Sequence, residues 1–392
     1  MIHSKLGASS AYRWFECPGS VALCSKVKNY SSAAADEGTD AHELGEKCLK
    51  GNKNAKQYIG RTMEKGHVVD DEMADAVQVY LDTVREDYNP KAGDKLLVEH
   101  KFHLEKVHEA MFGTNDACVY KAKDAKLIVY DYKHGKGKPV EVKNNKQLKY
   151  YGLGALMENS WPIDVIELVI VQPRCPHTDG PVRRDEIDLI DLLDFSTDLY
   201  NAALATEEPD ALLAPGSHCD WCSAAAICPK MKELALEQAQ KDFSNDEEEA
   251  YDPEELAETL KWLDTLESWC KSVRAFAYNE ASVRGVDIPH FKLVRKRSNR
   301  KFSDDGPVFI TKVCTELPFL DIDEISSRKI NGIGAIEKII KAQYKGKAKT
   351  EERNAALKVL DGFTTKPEGG LALVPEDDKR EAISAGPEAD FS

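Results

Sequence analysis

The sequence predicts an α/β fold, with helices on both faces of a mixed sheet and an α+β extension at the C-terminus. Three observations predict it. Leu96–Leu104 alternates apolar and polar residues, the two-residue period of a half-buried strand. Asn115–Tyr120 and Leu127–Lys133 flank a polar turn at Lys121–Lys126, which reads as a hairpin. Helical patterns precede these three strands and alternate with further strand composition after them.

Taken in order, Thr39 is placed to cap a helix that runs to about Lys50, with Gly51 as its stop. A second helix is expected over Asp70–Arg85. The three strands follow. Asn144 is placed to cap a helix through Glu158, Val165–Val171 has strand composition, and Asp188–Ala205 reads as helix. An acidic run at Asn245–Glu255 marks a boundary, so the expected domains are 1–243 and 244–392. Beyond it Asp252 and Pro253 open a long helix with Leu256, Leu260, Leu263, Leu266, Cys270 and Val273 at helical spacing, ended by Gly285. Ser326–Tyr344 has a short helical pattern, and the polar tail is expected to be poorly ordered.

Bulk properties narrow the function. The 392 residues, 42% hydrophobic and 31% charged, fit a globular protein. No apolar run reaches the ~20 residues of a membrane helix, and no secretory signal precedes Trp14. Net charge is −15, which argues against a generally basic nucleic-acid binder but says little about one groove. In a long chain without a signal, ten cysteines suggest a reducing cytosol and thiolate–metal chemistry, not a disulfide framework.

The sharpest local pattern is Leu127-Ile-Val-Tyr-Asp131-Tyr-Lys133. Residues two apart on a strand share a face, so Asp131 and Lys133 emerge together from an apolar strand. A carboxylate there suits a hard divalent cation, and a lysine beside it can orient an attacking water and offset phosphate charge. An isolated Asp-x-Lys is usually a surface ion pair, but this one has company. Gly113-Thr-Asn-Asp116 brings a second carboxylate on the preceding strand. Gly38-Thr-Asp-Ala-His42 and Glu46 bring a histidine and an acid on one helical face, Gln147 and Tyr151 lie one turn apart on a later helix, and Glu99 is a further candidate.

In this order the motifs resemble the RecB-like branch of the PD-(D/E)XK nucleases, over roughly residues 1–240. The Gly–His spacing is one residue longer than usual, and Asp131 stands where many relatives carry Glu. The resemblance implies a restriction-endonuclease-like core and a Mg²⁺- or Mn²⁺-dependent deoxyribonuclease, expected to be an exonuclease. It implies His42, Asp116, Asp131 and the Tyr132 carbonyl as metal ligands, Lys133 as the catalytic lysine, and Gln147 and Tyr151 in the site. The whole chain also resembles an uncharacterised phage and prophage family of that superfamily. The expectation is then action in a bacterial cytoplasm in phage DNA replication or recombination, with DNA and a phage single-strand-binding or annealing protein as partners. A non-catalytic DNA-binding or scaffold protein is the alternative, but a degenerate site would usually lack the lysine or a carboxylate.

Cys219-Asp-Trp-Cys222 followed by Cys228-Pro is a C-x2-C-x5-C array, a spacing that wraps a metal or cluster. Cys17 is the best fourth ligand, with Cys24 and His218 as weaker ones. Spacing alone leaves zinc and iron–sulfur equally open. The resemblance favours a [4Fe–4S] cluster, because some RecB-like nucleases hold one with a cysteine before the nuclease motifs and three after them. Finally, Lys292–Lys301 packs six positive charges into ten residues; Arg295, Lys296, Arg297 and Arg300 are candidate phosphate contacts.

Overall fold

The structure is a computed structural model that describes residues 4–28, 31–243, 253–291, 341–342 and 350–361. Two compact units divide at Leu293/Val294. In the first unit, short helices α1 (Ala11–Trp14) and α2 (Ser20–Cys24) lead into α3 (Ala33–Gly51) and α4 (Asp71–Asp87). Strands β1 (Lys95–His103), β2 (Phe112–Lys121) and β3 (Lys126–Tyr132) follow, then α5 (Lys146–Glu158), β4 (Val165–Val171), β5 (Val182–Asp188), α6 (Leu189–Ala205), α7 (Pro229–Phe243) and α8 (Pro253–Arg284). The described part of the second unit includes α9 (Thr350–Asp361), with Glu351 and Glu352 in its first turn.

The expected fold class is the one observed. The five strands lie in the order β1-β2-β3-β4-β5. Neighbours are antiparallel except β3 and β4, which run parallel because α5 carries the chain across between them. Strand parity splits the core in two. Leu127 and Val129 face Leu148 and Leu153 of α5 and Leu192, Phe195 and Leu199 of α6. Ile128, Tyr130 and Tyr132 face Ala41, Leu44 and Cys48 of α3 and Val77, Leu81 and Val84 of α4. The sheet is thus covered on both faces, which is why β3 and β4 read as near-continuous apolar runs.

Several boundaries move. Ser32, not Thr39, caps α3, its side chain accepting from the Ala35 amide at 3.2 Å. The Thr39 hydroxyl donates back to the Ala35 carbonyl from inside the helix. Asn145 rather than Asn144 caps α5, and Asn144 takes the left-handed turn before it at φ 55°. The second helix forms where expected, with Asp70 as its cap, its side chain accepting from the Met73 amide at 2.8 Å. The long helix ends before Gly285, whose φ of +68° suits a glycine stop. It packs on the short turns Ser217–Trp221 and Ala225–Ile227 within the first unit. β5 was not expected. It is a charged edge strand of the kind that resists edge-to-edge association. Its Glu186 sits opposite Glu167 of β4, and Lys126 binds both carboxylates, at 2.9 and 3.2 Å. The basic residues Arg295, Lys296, Arg297 and Arg300, most of the 326–344 segment, the tail, and nearly all of the acidic run lie outside the described residues.

Candidate metal and nucleolytic site

The site grows from an interruption in the sheet. β1 pairs with β2 at Val98↔Ala117 and again at His100↔Asn115, but the intervening pair Glu99–Asp116 is missing. Glu99 sits at φ 48°, a left-handed conformation that is uncommon for a non-glycine strand residue and costly to hold. On the other side, β2 and β3 stop pairing at Ala117↔Tyr130; one further step would set Asp116 opposite Asp131. Side chains take over the abandoned backbone groups. The Tyr132 amide donates to Asp116 Oδ2 at 2.6 Å, and Asn115 Nδ2 donates to the Tyr130 carbonyl at 2.8 Å. The break lets the carboxylates of Glu99 and Asp116 collect at one point, with the Asp116 charge felt at Asp131.

His42 reaches this point from α3, with Nδ1 3.2 Å from Asp116 Oδ1. One donor atom each of His42, Glu99 and Asp116 lies within 4.8 Å of the others, which makes a candidate metal group. Asp131 stands outside that group. Its Oδ1 accepts from Lys133 Nζ at 3.2 Å. Its Oδ2, 2.9 Å from the same ammonium, is buried and has no hydrogen-bond partner among the described residues. Lys133 also donates to Gln147 Oε1 at 3.0 Å, and Gln147 hydrogen-bonds Tyr151 one turn along α5. Gly113 is small for a reason: a Cβ there would stand 3.1 Å from Tyr151 Cε1. Tyr132 turns its amide to Asp116, and its hydroxyl shares a 2.8 Å hydrogen bond with His134 Nδ1.

The electrostatics show crowding of negative charge. Burial, then Asp116, push Glu99 up to about 8. Burial opposes protonation of His42, but Asp116, Glu99 and Asp131 override it and raise His42 to about 9. Burial raises Asp131, with Lys133 opposing. Burial also raises Asp116, but His42, the Tyr132 amide and Lys133 pull it lower overall. Lys133 is held protonated by Asp131 against its own burial. One imidazole and three carboxylates are an oxygen-rich donor set that suits a hard divalent cation.

The sequence reading passed over His134. Burial and Arg174 lower it to about 4, so it stays neutral, with Nε2 3.4 Å from Glu37. Arg174 binds Glu37 at 2.8 Å. These residues buttress Tyr132; position beside Asp131-x-Lys133 was the only signal for His134, and Glu37 and Arg174 had none. Also unforeseen is a groove lined by Phe15, Lys146, Lys149 and Phe195, where the two phenyl rings stack at 5.8 Å.

Two cysteine-bearing segments far apart in sequence meet, 17–24 and 214–222. The Gly19 amide donates to the Leu212 carbonyl at 2.9 Å; a Cβ on Gly19 would stand 2.4 Å from the Ala211 carbonyl oxygen, so only glycine fits. Cys17 Sγ accepts from the Ala214 amide, and Cys219 Sγ from the Gly216 amide, each at 3.4 Å. Cys222 Sγ lies 3.7 Å from Cys24 Sγ. The hydrogen bond from Cys222 pulls Cys24 down to about 5 against its burial, while Cys222 itself is raised. His218 Nε2 donates to the Ala214 carbonyl at 2.8 Å. Among the described residues no three of these sulfurs lie within 4.8 Å of one another.

The model of a family described as "Protein of unknown function (DUF2800)" matches residues 3–381, and the chain belongs to that family. Among solved structures, an alkaline exonuclease from Laribacter hongkongensis is similar at 14% identity, over 59% of this chain and 96% of that one, with a TM-score of 0.22.

Proposed function

We propose that this DUF2800 protein is a divalent-metal-dependent deoxyribonuclease acting on DNA ends, an exonuclease. The observation that carries the reading is the meeting of His42 from α3 with Asp116, Asp131, Lys133 and Gln147 from the β2–β3 hairpin and α5 around one ladder break. In this reading His42, Asp116 and Asp131 hold Mg²⁺ or Mn²⁺, joined by Glu99 and the Tyr132 carbonyl. Such an ion supplies Lewis acidity at the scissile phosphate and an activated water.

The chain's own groups do the rest. Lys133, protonated and fixed by Asp131 and Gln147, orients the nucleophile and offsets charge that develops on the phosphate. Gln147 is itself held by Tyr151. Lys146 and Lys149 at the start of α5, in the groove with Phe15 and Phe195, offer phosphate contacts; Arg295, Lys296, Arg297 and Arg300 are further candidates by sequence and lie outside the described residues. DNA is the substrate, and phage-type replication or recombination in a bacterial cytoplasm, alongside a single-strand-binding or annealing protein, is the setting that fits such an exonuclease.

Cys17, Cys219, Cys222 and Cys228 hold a [4Fe–4S] cluster in this reading. A single tetrahedral zinc at ~2.3 Å from four thiolates needs them all about 3.8 Å apart. Amide donors aimed at Cys17 and Cys219 suit thiolates, as a bound cluster or zinc would require. Iron and acid-labile sulfide in anaerobically purified protein test the cluster. Asp131→Asn tests the nuclease: cleavage of end-labelled DNA should be lost while DNA binding survives. Wild-type protein that binds DNA but never cleaves it would favour a non-catalytic DNA-binding or scaffold protein.

A further inference from the structure

Cys24 has no place in the four-cysteine set just described, yet its sulfur touches Cys222 at 3.7 Å across 198 residues of sequence. No other sulfur–sulfur contact is found among the described residues. Both thiols are partly exposed, whereas Cys17, Cys48, Cys118, Cys175 and Cys219 are buried. A solution oxidant therefore reaches this pair more readily than those five. The backbone on either side is already fixed. The Gly19 amide bonds Leu212 at the start of α2, and the Cys222 amide closes the turn onto the Cys219 carbonyl at 3.1 Å. The sulfurs must close from 3.7 Å to the ~2.05 Å of a disulfide, a shift of under about 2 Å.

We propose that Cys24 and Cys222 are an oxidisable pair, which forms an intramolecular disulfide when Cys222 is not engaged by a metal. A low-molecular-weight disulfide such as oxidised glutathione is the oxidant. One thiolate attacks it, forming a mixed disulfide and releasing one glutathione thiolate. The second cysteine then attacks the protein sulfur of that mixed disulfide and releases the other. The protein loses two protons and two electrons, and the oxidant leaves as two thiols. The bond replaces a metal staple by a covalent one at the same junction, and it removes Cys222 from the ligand set. That competition rests on the cluster reading above; the disulfide itself rests only on the contact.

The test uses full-length protein treated with oxidised glutathione, with and without prior chelation, then alkylated and weighed intact. Chelated wild type should lose about 2 Da and two alkylatable thiols, and fragmentation of the cross-linked peptide should assign the bond to Cys24 and Cys222, not Cys17. In Cys24→Ser the cross-link yield should fall at least about tenfold. A cross-link of equal yield in Cys24→Ser, or one assigned to Cys17, overturns the proposal, as does chelated wild type that keeps all its thiols. Protection of the unchelated protein supports the competition. Cross-linking that is indifferent to chelation upholds the pair and contradicts Cys222 as a metal ligand, so the two ideas fail separately.

Discussion

At the scale of single residues, the site is a balance of buried charges. His42 and Glu99 are both raised, so between about pH 4.5 and 9 the folded state holds protons that the unfolded chain has released. The sign follows. The stability contributed by protonated His42 is fully present below its ordinary pKa of 6.5 and lost as pH rises through about 9. Glu99 acts in the same direction: from its ordinary 4.5 to about 8, the folded protein loses stability as pH rises. Metal-free protein should therefore melt at a lower temperature at pH 9 than at pH 6. Added Mg²⁺ or Mn²⁺ should raise the melting temperature more at pH 9, because a protonated imidazole cannot be a ligand. In His42→Gln the pH dependence should shrink. A metal response in that variant identical to wild type at both pH values would return His42 to a purely structural role.

Lys133→Ala and Asp131→Asn belong to the same scale. On the proposed mechanism Lys133 offsets charge that develops on the phosphate and Asp131 holds the metal, so in each variant the rate constant for cleavage should fall by roughly 10²–10³. DNA affinity, read by anisotropy in Ca²⁺, should stay near wild type. Asn is the better test at 131, since it keeps the buried shape without leaving the Lys133 ammonium against an empty space.

At the scale of elements, much was legible because the sheet obeys its period. Alternation along Leu96–Leu104 and the run ending in Asp131-Tyr-Lys133 placed β1 and β3 to within a residue or two. β5 escaped because a pattern of Val-Arg-Arg-Asp-Glu-Ile-Asp buries only Arg183 and Ile187, and its pairing is decided by β4, not by its own residues. Glu99 stood only as a further candidate, since its role comes from a left-handed backbone and a missing ladder pair that no residue type announces. Cys24 was ranked below Cys17 for a similar reason: spacing reports sequence distance, and the fold of α2 decides which sulfur meets Cys222. Close approach gives the element-scale test. Gly19→Ala forces a Cβ against the Ala211 carbonyl, and relieving it must move the segment that brings the two cysteine groups together. Thermal unfolding should report a loss of about 1–3 kcal/mol, as for other overpacked sites. A melting temperature unchanged from wild type would show that this junction is slack.

At the scale of the whole molecule, the first unit holds two separate devices: a break in the sheet that gathers carboxylates, and a cysteine junction that ties α2 to the turns before α7. The junction closes a loop of about 200 residues, where a cross-link is expected to stabilise strongly. Cys219→Ser should lower iron content and thermal stability together and reduce cleavage only as far as folded protein is lost. Replacing Arg295, Lys296 and Arg297 with Ala should leave single-turnover cleavage at saturating protein intact, while it weakens DNA binding and flattens its salt dependence; an unmoved salt slope would make that stretch a solvated surface.

The central claim is that the ladder break is a nuclease site, and one assay tests it most directly. End-labelled single- and double-stranded DNA is incubated with full-length protein in Mg²⁺ or Mn²⁺, with EDTA, and with Lys133→Ala as control. The account predicts metal-dependent loss of nucleotides from the DNA ends, abolished by EDTA and reduced by roughly 10²–10³ in the variant. Cleavage that persists undiminished in Lys133→Ala, or no cleavage of either substrate by metal-loaded wild type, would contradict it.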